Sequence, residues 1–109
     1  MKSAYTKGRR FEYKVRDELR KLGFAVYRTS RSSGLGWQRE KNEVPVDLIA
    51  IKNGKCILVE CKSDISFKKM GRRWLSNTVN AEAPYIVVTP SNLDSVLERL
   101  KQRIERGEL

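Results

Sequence analysis

Apolar side chains recur along this chain at two spacings, which predict its helices and strands. In residues 6–22 they recur every three or four positions, the period of a helix with one face against a core. The members of this stripe are Phe11, Val15, Leu19 and Leu22. A second helix is predicted near the end of the chain, where Ser91 or Asn92 can cap it. Its stripe consists of Leu93, Leu97, Leu100 and Ile104.

Short apolar runs bounded by turn residues predict four strands. They cover residues 24–29, 46–51, 56–62 and 85–89. Residues 63–83 are ambiguous, with one further helix expected in 72–82. The order of elements predicts an α/β fold in which helices cover a central mixed β-sheet on both faces. At 109 residues the chain is expected to form one domain over 1–109.

The pair Asn53-Gly54 predicts the turn between the second and third strands. A type I′ turn needs positive φ at both residues, and Asn-Gly is its strongest short signal. The register that this turn sets places Asp47 opposite Glu60, on one face with Lys62. Directly opposed Cβ atoms lie about 4.5–5.5 Å apart. The sequence therefore predicts two neighbouring carboxylates at one end of an otherwise apolar hairpin.

Such a pair needs compensation, because opposed like charges destabilise a strand pair and lose hydration. A shared proton, the amine of Lys62, or a divalent cation such as Mg²⁺ can each supply it. Glu12 adds a third acid on the flank of the first helical stripe, and Gly8 is expected to let that helix approach another backbone closely. The alternatives are a Lys62–Glu60 ion pair at a solvated strand end and a surface pair between Glu12 and Arg16.

Composition narrows the chemistry further. Lys and Arg number 23 against 13 acids, and the resulting net charge of +10 favours a polyanionic partner such as nucleic acid. The chain has no histidine and only two cysteines, which excludes an ordinary zinc site and any histidine-activated nucleophile. Catalysis must therefore use carboxylates, lysine and a hard metal ion.

The cysteines also bear on localisation. Cys56 and Cys61 lie five positions apart on one predicted strand, too far apart to form a disulfide. No run of 18 apolar residues and no hydrophobic leader is present. These observations predict a cytoplasmic, intracellular protein.

Several motifs, taken in order, resemble a known family. They are KGRRFEYKVRDELRKLGF, RTSRSSG, VDLIA with Asp47, and LVECK with Glu60-Cys61-Lys62. This order is similar to the PD-(D/E)xK nuclease superfamily and, within it, to the archaeal-type (Hjc-like) Holliday junction resolvases. The resemblance covers roughly the first 62 residues. It implies a restriction-endonuclease-like core and a homodimeric, Mg²⁺- or Mn²⁺-dependent endodeoxyribonuclease that resolves four-way DNA junctions by paired cleavage in an archaeal or viral host cell.

The resemblance also implies roles for individual residues. Metal would be held by the side chains of Glu12, Asp47 and Glu60 and by the carbonyl of Cys61. Lys62 would position or activate the attacking water. Basic residues are expected to contact phosphates, and a serine of the SRSSG segment would lie near the scissile phosphate. The predicted DNA-binding residues are Lys7, Arg9, Arg10, Arg28, Ser30, Arg31, Ser32, Ser33, Trp37, Lys68, Lys69, Arg72 and Arg73.

The chain departs from the family pattern in three ways. Val46 separates the usual Pro-Asp pair, the loop from Ser33 to Asp47 is long, and no glutamine follows Lys62 until Gln102. Two other functions stay open: a repair or restriction-like nuclease on the same fold, and a noncatalytic nucleic-acid-binding module. The second would leave Asp47 and Glu60 dispensable. Trp74 is expected in the core or at a dimer interface.

Overall fold

A computed structural model describes residues 4–29 and 44–109 of the chain. In chain order the elements are α1 (Ala4–Lys21), β1 (Ala25–Arg28), β2 (Leu48–Lys52), β3 (Lys55–Cys61), α2 (Asp64–Met70), α3 (Arg73–Asn80), β4 (Tyr85–Val88) and α4 (Leu93–Glu105). The strands form one sheet in the order β1-β2-β3-β4. β2 is antiparallel to β1 and β3, whereas β4 is parallel to β3. The predicted α/β fold, with a central mixed sheet flanked by helices, is confirmed.

The hairpin forms in the predicted register. Asn53 has a φ of 53° and Gly54 a φ of 77°, as a type I′ turn requires. Leu48 pairs with Val59 across the two strands, and the pairing continues from there to the turn. This register is important for the site, because Asp47 directly precedes β2 and Glu60 lies near the end of β3, so the two residues share the open end of the hairpin.

The core lies between one face of the sheet and the helices α1 and α4. Val15 and Leu19 of α1 are each 1% exposed, and they pack with fully buried Leu48, Ala50 and Val59 of the hairpin. Each buried Val or Leu among them contributes about 1.5–3 kcal/mol by leaving water. α4 adds Leu93 and Leu100, so the stripes predicted from the sequence are the faces that are buried. None of the described helices combines the length and apolarity needed to cross a membrane.

The opposite face of the sheet is only partly covered. Tyr27 of β1 is 60% exposed and Ile51 of β2 is 37% exposed, while Ile49 and Leu58 are half-buried. α3 packs beside β4, at the other edge of the sheet. Within the described part of the chain, the expectation that helices cover both faces is therefore wrong at the β1–β2 side.

Two helices occupy the segment that the sequence left ambiguous. The expected helix over 72–82 is present as α3, and α2 precedes it. The Ser63 hydroxyl accepts a hydrogen bond from the Ser66 N–H at 3.1 Å, which caps the start of α2. Gly71, with a φ of 55°, separates the two helices. Neither α2 nor α3 buries a side chain completely, so neither has the fully buried stripe that α1 and α4 present to the core.

The start of α4 differs from the prediction. Asn92 occupies the N-cap position, but neither it nor Ser91 caps the helix through its side chain. The Asn92 amide instead turns back to β4: its Oδ1 accepts from the Thr89 N–H at 2.7 Å, and its Nδ2 donates to the Val87 carbonyl at 3.0 Å. The Ser91 hydroxyl donates to the Asp64 carboxylate. These side chains therefore close the β4–α4 turn rather than cap the helix.

Candidate active site

The Glu60-Cys61-Lys62 motif lies where β3 ends. Glu60 is 2% exposed, and Lys62 directly after the strand is half-buried. The Lys62 N–H donates to the Val88 carbonyl at 2.9 Å, so β4 holds the chain at this point. The motif is thus placed at a strand end that has sheet neighbours on both sides.

Asp47 joins this motif through a direct hydrogen bond. It sits in a bend just before β2, where its N–H donates to the Val59 carbonyl at 3.0 Å. Its carboxylate Oδ2 accepts from the Cys61 N–H at 2.8 Å. The regular ladder starts only at Leu48, so the predicted pairing of Asp47 opposite Glu60 is replaced by this bond from a side chain to the backbone. The bend turns the carboxylate toward the middle residue of the motif.

Thr29 holds the segment that carries Asp47, a role that no spacing in the sequence predicts. The Thr29 N–H donates to the Asp47 carbonyl at 3.0 Å, and its hydroxyl donates to the Val46 carbonyl at 2.7 Å. Thr29 directly follows β1 within the RTSRSSG motif. Its position in that motif was the one available signal. The contact itself depends on how β1 and β2 pair.

Glu12 enters the site from α1 and contacts Arg28 of β1. Its Oε2 lies 3.6 Å from an Arg28 guanidinium nitrogen. The guanidinium also stacks 4.9 Å from the centroid of the Tyr13 ring, and its Nε is buried with no hydrogen-bond partner among the described residues. Arg16, the expected surface partner of Glu12, pairs with Asp17 at 2.9 Å instead. Arg28 is therefore placed within the acid cluster rather than on the exposed surface.

The ionisable groups show how much negative charge is gathered here. Burial raises the pKa of Glu12, the nearby Asp47 raises it further, and Arg28 opposes both effects. Burial also raises the pKa of the Cys61 thiol, with added contributions from Asp47, Glu12 and Glu60. All three carboxylates therefore lie within electrostatic reach of Cys61.

The oxygen atoms of these residues are of the kind that bind a divalent cation. Carboxylate oxygens and a strand-end carbonyl are the hard ligands that Mg²⁺ prefers, and a cation would relieve the repulsion that raises the pKa of Glu12. As they stand, no three acidic or cysteine side chains of the described residues converge closely enough to hold a metal ion. A bound cation would therefore require the acidic side chains of the site to move closer together.

The predicted DNA-binding residues fall into three groups. Those exposed in the structure are Arg9, Arg10, Lys68, Lys69, Arg72 and Arg73. Lys7 lies in α1, and Arg28 is half-buried beside Glu12. Those outside the described residues are Ser30, Arg31, Ser32, Ser33 and Trp37. Gly8 is exposed, and no atom of the described chain lies within 4 Å of where its Cβ would stand, so the expected close backbone approach is wrong.

A mixed sheet that joins an Asp to a Glu-x-Lys strand end, beside a glutamate on the first helix, defines the class of PD-(D/E)xK-like nuclease cores. The model of the archaeal Holliday junction resolvase (Hjc) family matches residues 3–70, more than half of the chain. The chain is 30% identical over 122 residues to the crossover junction endodeoxyribonuclease Hjc of Methanocaldococcus jannaschii, and the match covers 93% of this chain and 84% of that protein. The chain belongs to the archaeal Holliday junction resolvase family.

Proposed function

We propose that this chain is an endodeoxyribonuclease that resolves four-way (Holliday) DNA junctions by paired phosphodiester cleavage inside the cell. Family membership and the similarity to a crossover junction endodeoxyribonuclease support the substrate. The observation that carries the chemistry is the 2.8 Å hydrogen bond from the Cys61 N–H to the Asp47 carboxylate. This bond joins two separate motifs into one site.

Hydrolysis of a phosphodiester needs an in-line nucleophile, stabilisation of charge on the phosphoryl oxygens and a proton for the leaving oxygen. Glu12, Asp47, Glu60 and the carbonyl of Cys61 would hold a Mg²⁺ or Mn²⁺ ion, which, when bound, acts as a Lewis acid and lowers the pKa of its water. Lys62 is half-buried next to Glu60 and donates hydrogen bonds to the attacking water or the developing charge. In the metal-free protein, Arg28 partly offsets the charge on Glu12.

The exposed basic residues of α1, α2 and α3 would contact the phosphates of the junction arms. Lys68 and Lys69 end α2, and Arg72 and Arg73 follow across the Gly71 turn. All four are exposed and lie along the chain that leaves the active site. Phosphate contacts of this kind orient the duplex without reading its sequence, as expected for an enzyme that recognises structure.

We further propose that the enzyme acts as a two-fold symmetric homodimer. A four-way junction needs two symmetric cuts, and a two-fold dimer presents two identical sites. On α3, Trp74, Leu75 and Val79 point to one side and are 38%, 47% and 81% exposed. Apolar side chains grouped in this way on a charged surface are typical of an interface. Ile65 on α2 is also 69% exposed.

The nuclease proposal is tested with labelled four-way junction, linear duplex and single strand, each in Mg²⁺ or in EDTA. The expected result is symmetric nicking of the junction alone, only with Mg²⁺, and its loss in Asp47→Asn with junction binding retained. Cutting of plain duplex would favour a repair or restriction-like nuclease. Binding that ignores divalent ions and survives Asp47→Asn without any cutting would favour the noncatalytic module.

A further inference from the structure

Asp64 ties the chain after Lys62 to the turn between β4 and α4. Asp64 is the first residue of α2, and its Oδ1 accepts from the Ser91 N–H at 3.3 Å. The same oxygen accepts from the Ser91 hydroxyl. These two hydrogen bonds, which we call the Asp64–Ser91 bridge, connect segments 27 positions apart in the sequence.

The turn that holds the other end of the bridge is itself well fixed. Asn92 bonds to both the Thr89 N–H and the Val87 carbonyl, and its own N–H donates to the Thr89 hydroxyl at 3.2 Å. Thr89 is 3% exposed. The Ser91 hydroxyl, and then that of Thr89, lower the pKa of Asp64, so the bridge is a charge-assisted one at neutral pH. Asp64 is therefore anchored to the hydrogen-bonded turn between β4 and α4.

The rest of α2 offers little else to fix its position. None of its side chains is fully buried, so packing against the core is thin. The Ser63 cap is local: it satisfies the start of the helix but does not orient the helix relative to the sheet. Lys62 lies in the chain between β3 and α2. Its own N–H is held by the Val88 carbonyl, and two residues later the chain is held again by the bond of Asp64 to Ser91. Removing the bridge would leave its backbone held on one side only.

We propose that the Asp64–Ser91 bridge positions Lys62 for DNA cleavage, which makes Asp64 a positioning residue of the site. The inference rests on the proposed nuclease function, in which the amine of Lys62 must meet the attacking water. A lysine side chain is long and flexible, so its amine is placed only as well as its backbone. Misplacing a reacting group by about 1 Å can cost up to about 100-fold in rate.

The first test measures single-turnover cleavage of a four-way junction at saturating protein and Mg²⁺. Asp64→Ala should slow the cleavage step about 10-fold, and Ser91→Ala should slow it less, because the backbone N–H at position 91 still donates to Asp64. In both variants the junction Kd in Ca²⁺ should change less than about threefold. The double variant should be no slower than Asp64→Ala alone, because that substitution already removes both hydrogen bonds. Asp64→Glu, which keeps a carboxylate, should retain part of the rate. Asp94→Ala is the matched control, since Asp94 is an exposed acid in the first turn of α4.

The second test needs no nuclease activity. Hydrogen exchange of the Lys62 amide, followed by NMR, should become about 10-fold faster in Asp64→Ala and stay unchanged in Asp94→Ala. Faster exchange in a protein that cuts no junction would show that the bridge fixes the Lys62 backbone even though the nuclease proposal fails. An active wild type whose rate and Lys62 exchange are both unaffected by Asp64→Ala would overturn the role. So would a loss of affinity with the saturating rate intact, because the bridge would then serve the DNA contacts of α2.

Discussion

Glu12 is held beside Asp47 in a partly buried position, where Arg28 offsets only part of the cost of its charge. Its raised pKa means that the folded protein binds a proton at this group more tightly than the unfolded chain does. Below the unfolded pKa both states are protonated and the shift has no effect. As the pH rises through the folded pKa, the native state must ionise the group at a cost, and stability falls.

Glu12→Gln should therefore stabilise the metal-free protein at neutral pH while removing its nuclease activity. We expect a gain of about 0.5–1 kcal/mol in the free energy of unfolding, which is typical when a substitution removes unfavourable charge from a functional site. The gain should be absent near pH 4 and appear as the pH rises to about 7. Thermal unfolding in EDTA across this range measures it. A variant less stable than wild type at neutral pH would show that the Arg28 pair outweighs the repulsion.

Single residues also mark the limit of what sequence patterns reveal. Asp47, Glu60 and Lys62 could be proposed as site residues because their motif has a spacing that a hairpin explains. Arg28 and Thr29 could not be given their contacts in advance. The first pairs with a residue 16 positions earlier and the second bonds to one 18 positions later. Contacts between segments so far apart have no local period, so only the folded sheet brings them together.

At the scale of elements, the β2–β3 turn sets the register of the hairpin that carries Asp47 and Glu60 near its open end. Gly54 has a φ of 77°, and no atom of the described residues lies within 4 Å of where its Cβ would stand. A side chain there would meet no steric clash with its surroundings, only backbone strain. The register of the whole hairpin depends on this turn, because a slip by one residue would reverse every side chain to the other face.

Gly54→Ala should lower the free energy of unfolding by about 1–2 kcal/mol, the cost of a left-handed backbone for a residue with a Cβ. Gly8→Ala is the opposite control, because Gly8 lies within helix α1 and is exposed. The same added methyl group should there stabilise the protein by about 0.5–1 kcal/mol through helix propensity. Urea denaturation of the two variants compares them directly. Equal effects at both positions would rule out the backbone explanation.

The sequence pattern predicted α1, α3, α4 and the β2–β3 turn, but it did not predict α2. The stripes of α1 and α4 and the Asn53-Gly54 turn carried clear local signals. α2 had a local signal in the Ser63 cap, but it lacks the buried stripe that identifies a helix in sequence. The side chains of Ser91 and Asn92 do not cap α4. Ser91 bonds to Asp64 instead, and Asn92 bonds to the end of β4.

At the scale of the whole molecule, the net charge of +10 should make junction binding steeply dependent on salt. Replacing Lys68 and Lys69 together by Ala should weaken binding about 10-fold and reduce the slope of log K against log salt by about 2. Replacing Arg99 and Lys101 of α4 serves as the control, since both are exposed but were not predicted to contact DNA. Fluorescence anisotropy at several salt concentrations gives both slopes. An equal loss in the two double variants would mean that α2 has no special part in binding.

The exposed apolar side of α3 leads to a prediction about the homodimer. Val79 is 81% exposed, so Val79→Glu should leave the fold intact but disrupt a dimer formed through this helix. We expect the variant to sediment as a monomer and to nick junctions in one strand at a time rather than in pairs. Asn80→Glu, at an exposed position on the other side of the helix, should keep the dimer. A wild-type chain that is already monomeric at the concentration of the cleavage assay would contradict the proposal.

The sequence by itself determined the local features of this protein: its helical stripes, the hairpin and its register, its positive charge and the presence of a carboxylate-lysine motif without histidine. Each of these depends on residues close together in the chain, where a spacing translates directly into a face or a turn. Only the tertiary structure decided that Asp47 bonds to Cys61, that Glu12 pairs with Arg28, and that Asp64 reaches Ser91. Those contacts depend on the relative placement of separate elements, and burial and strand pairing across the whole sheet set that placement.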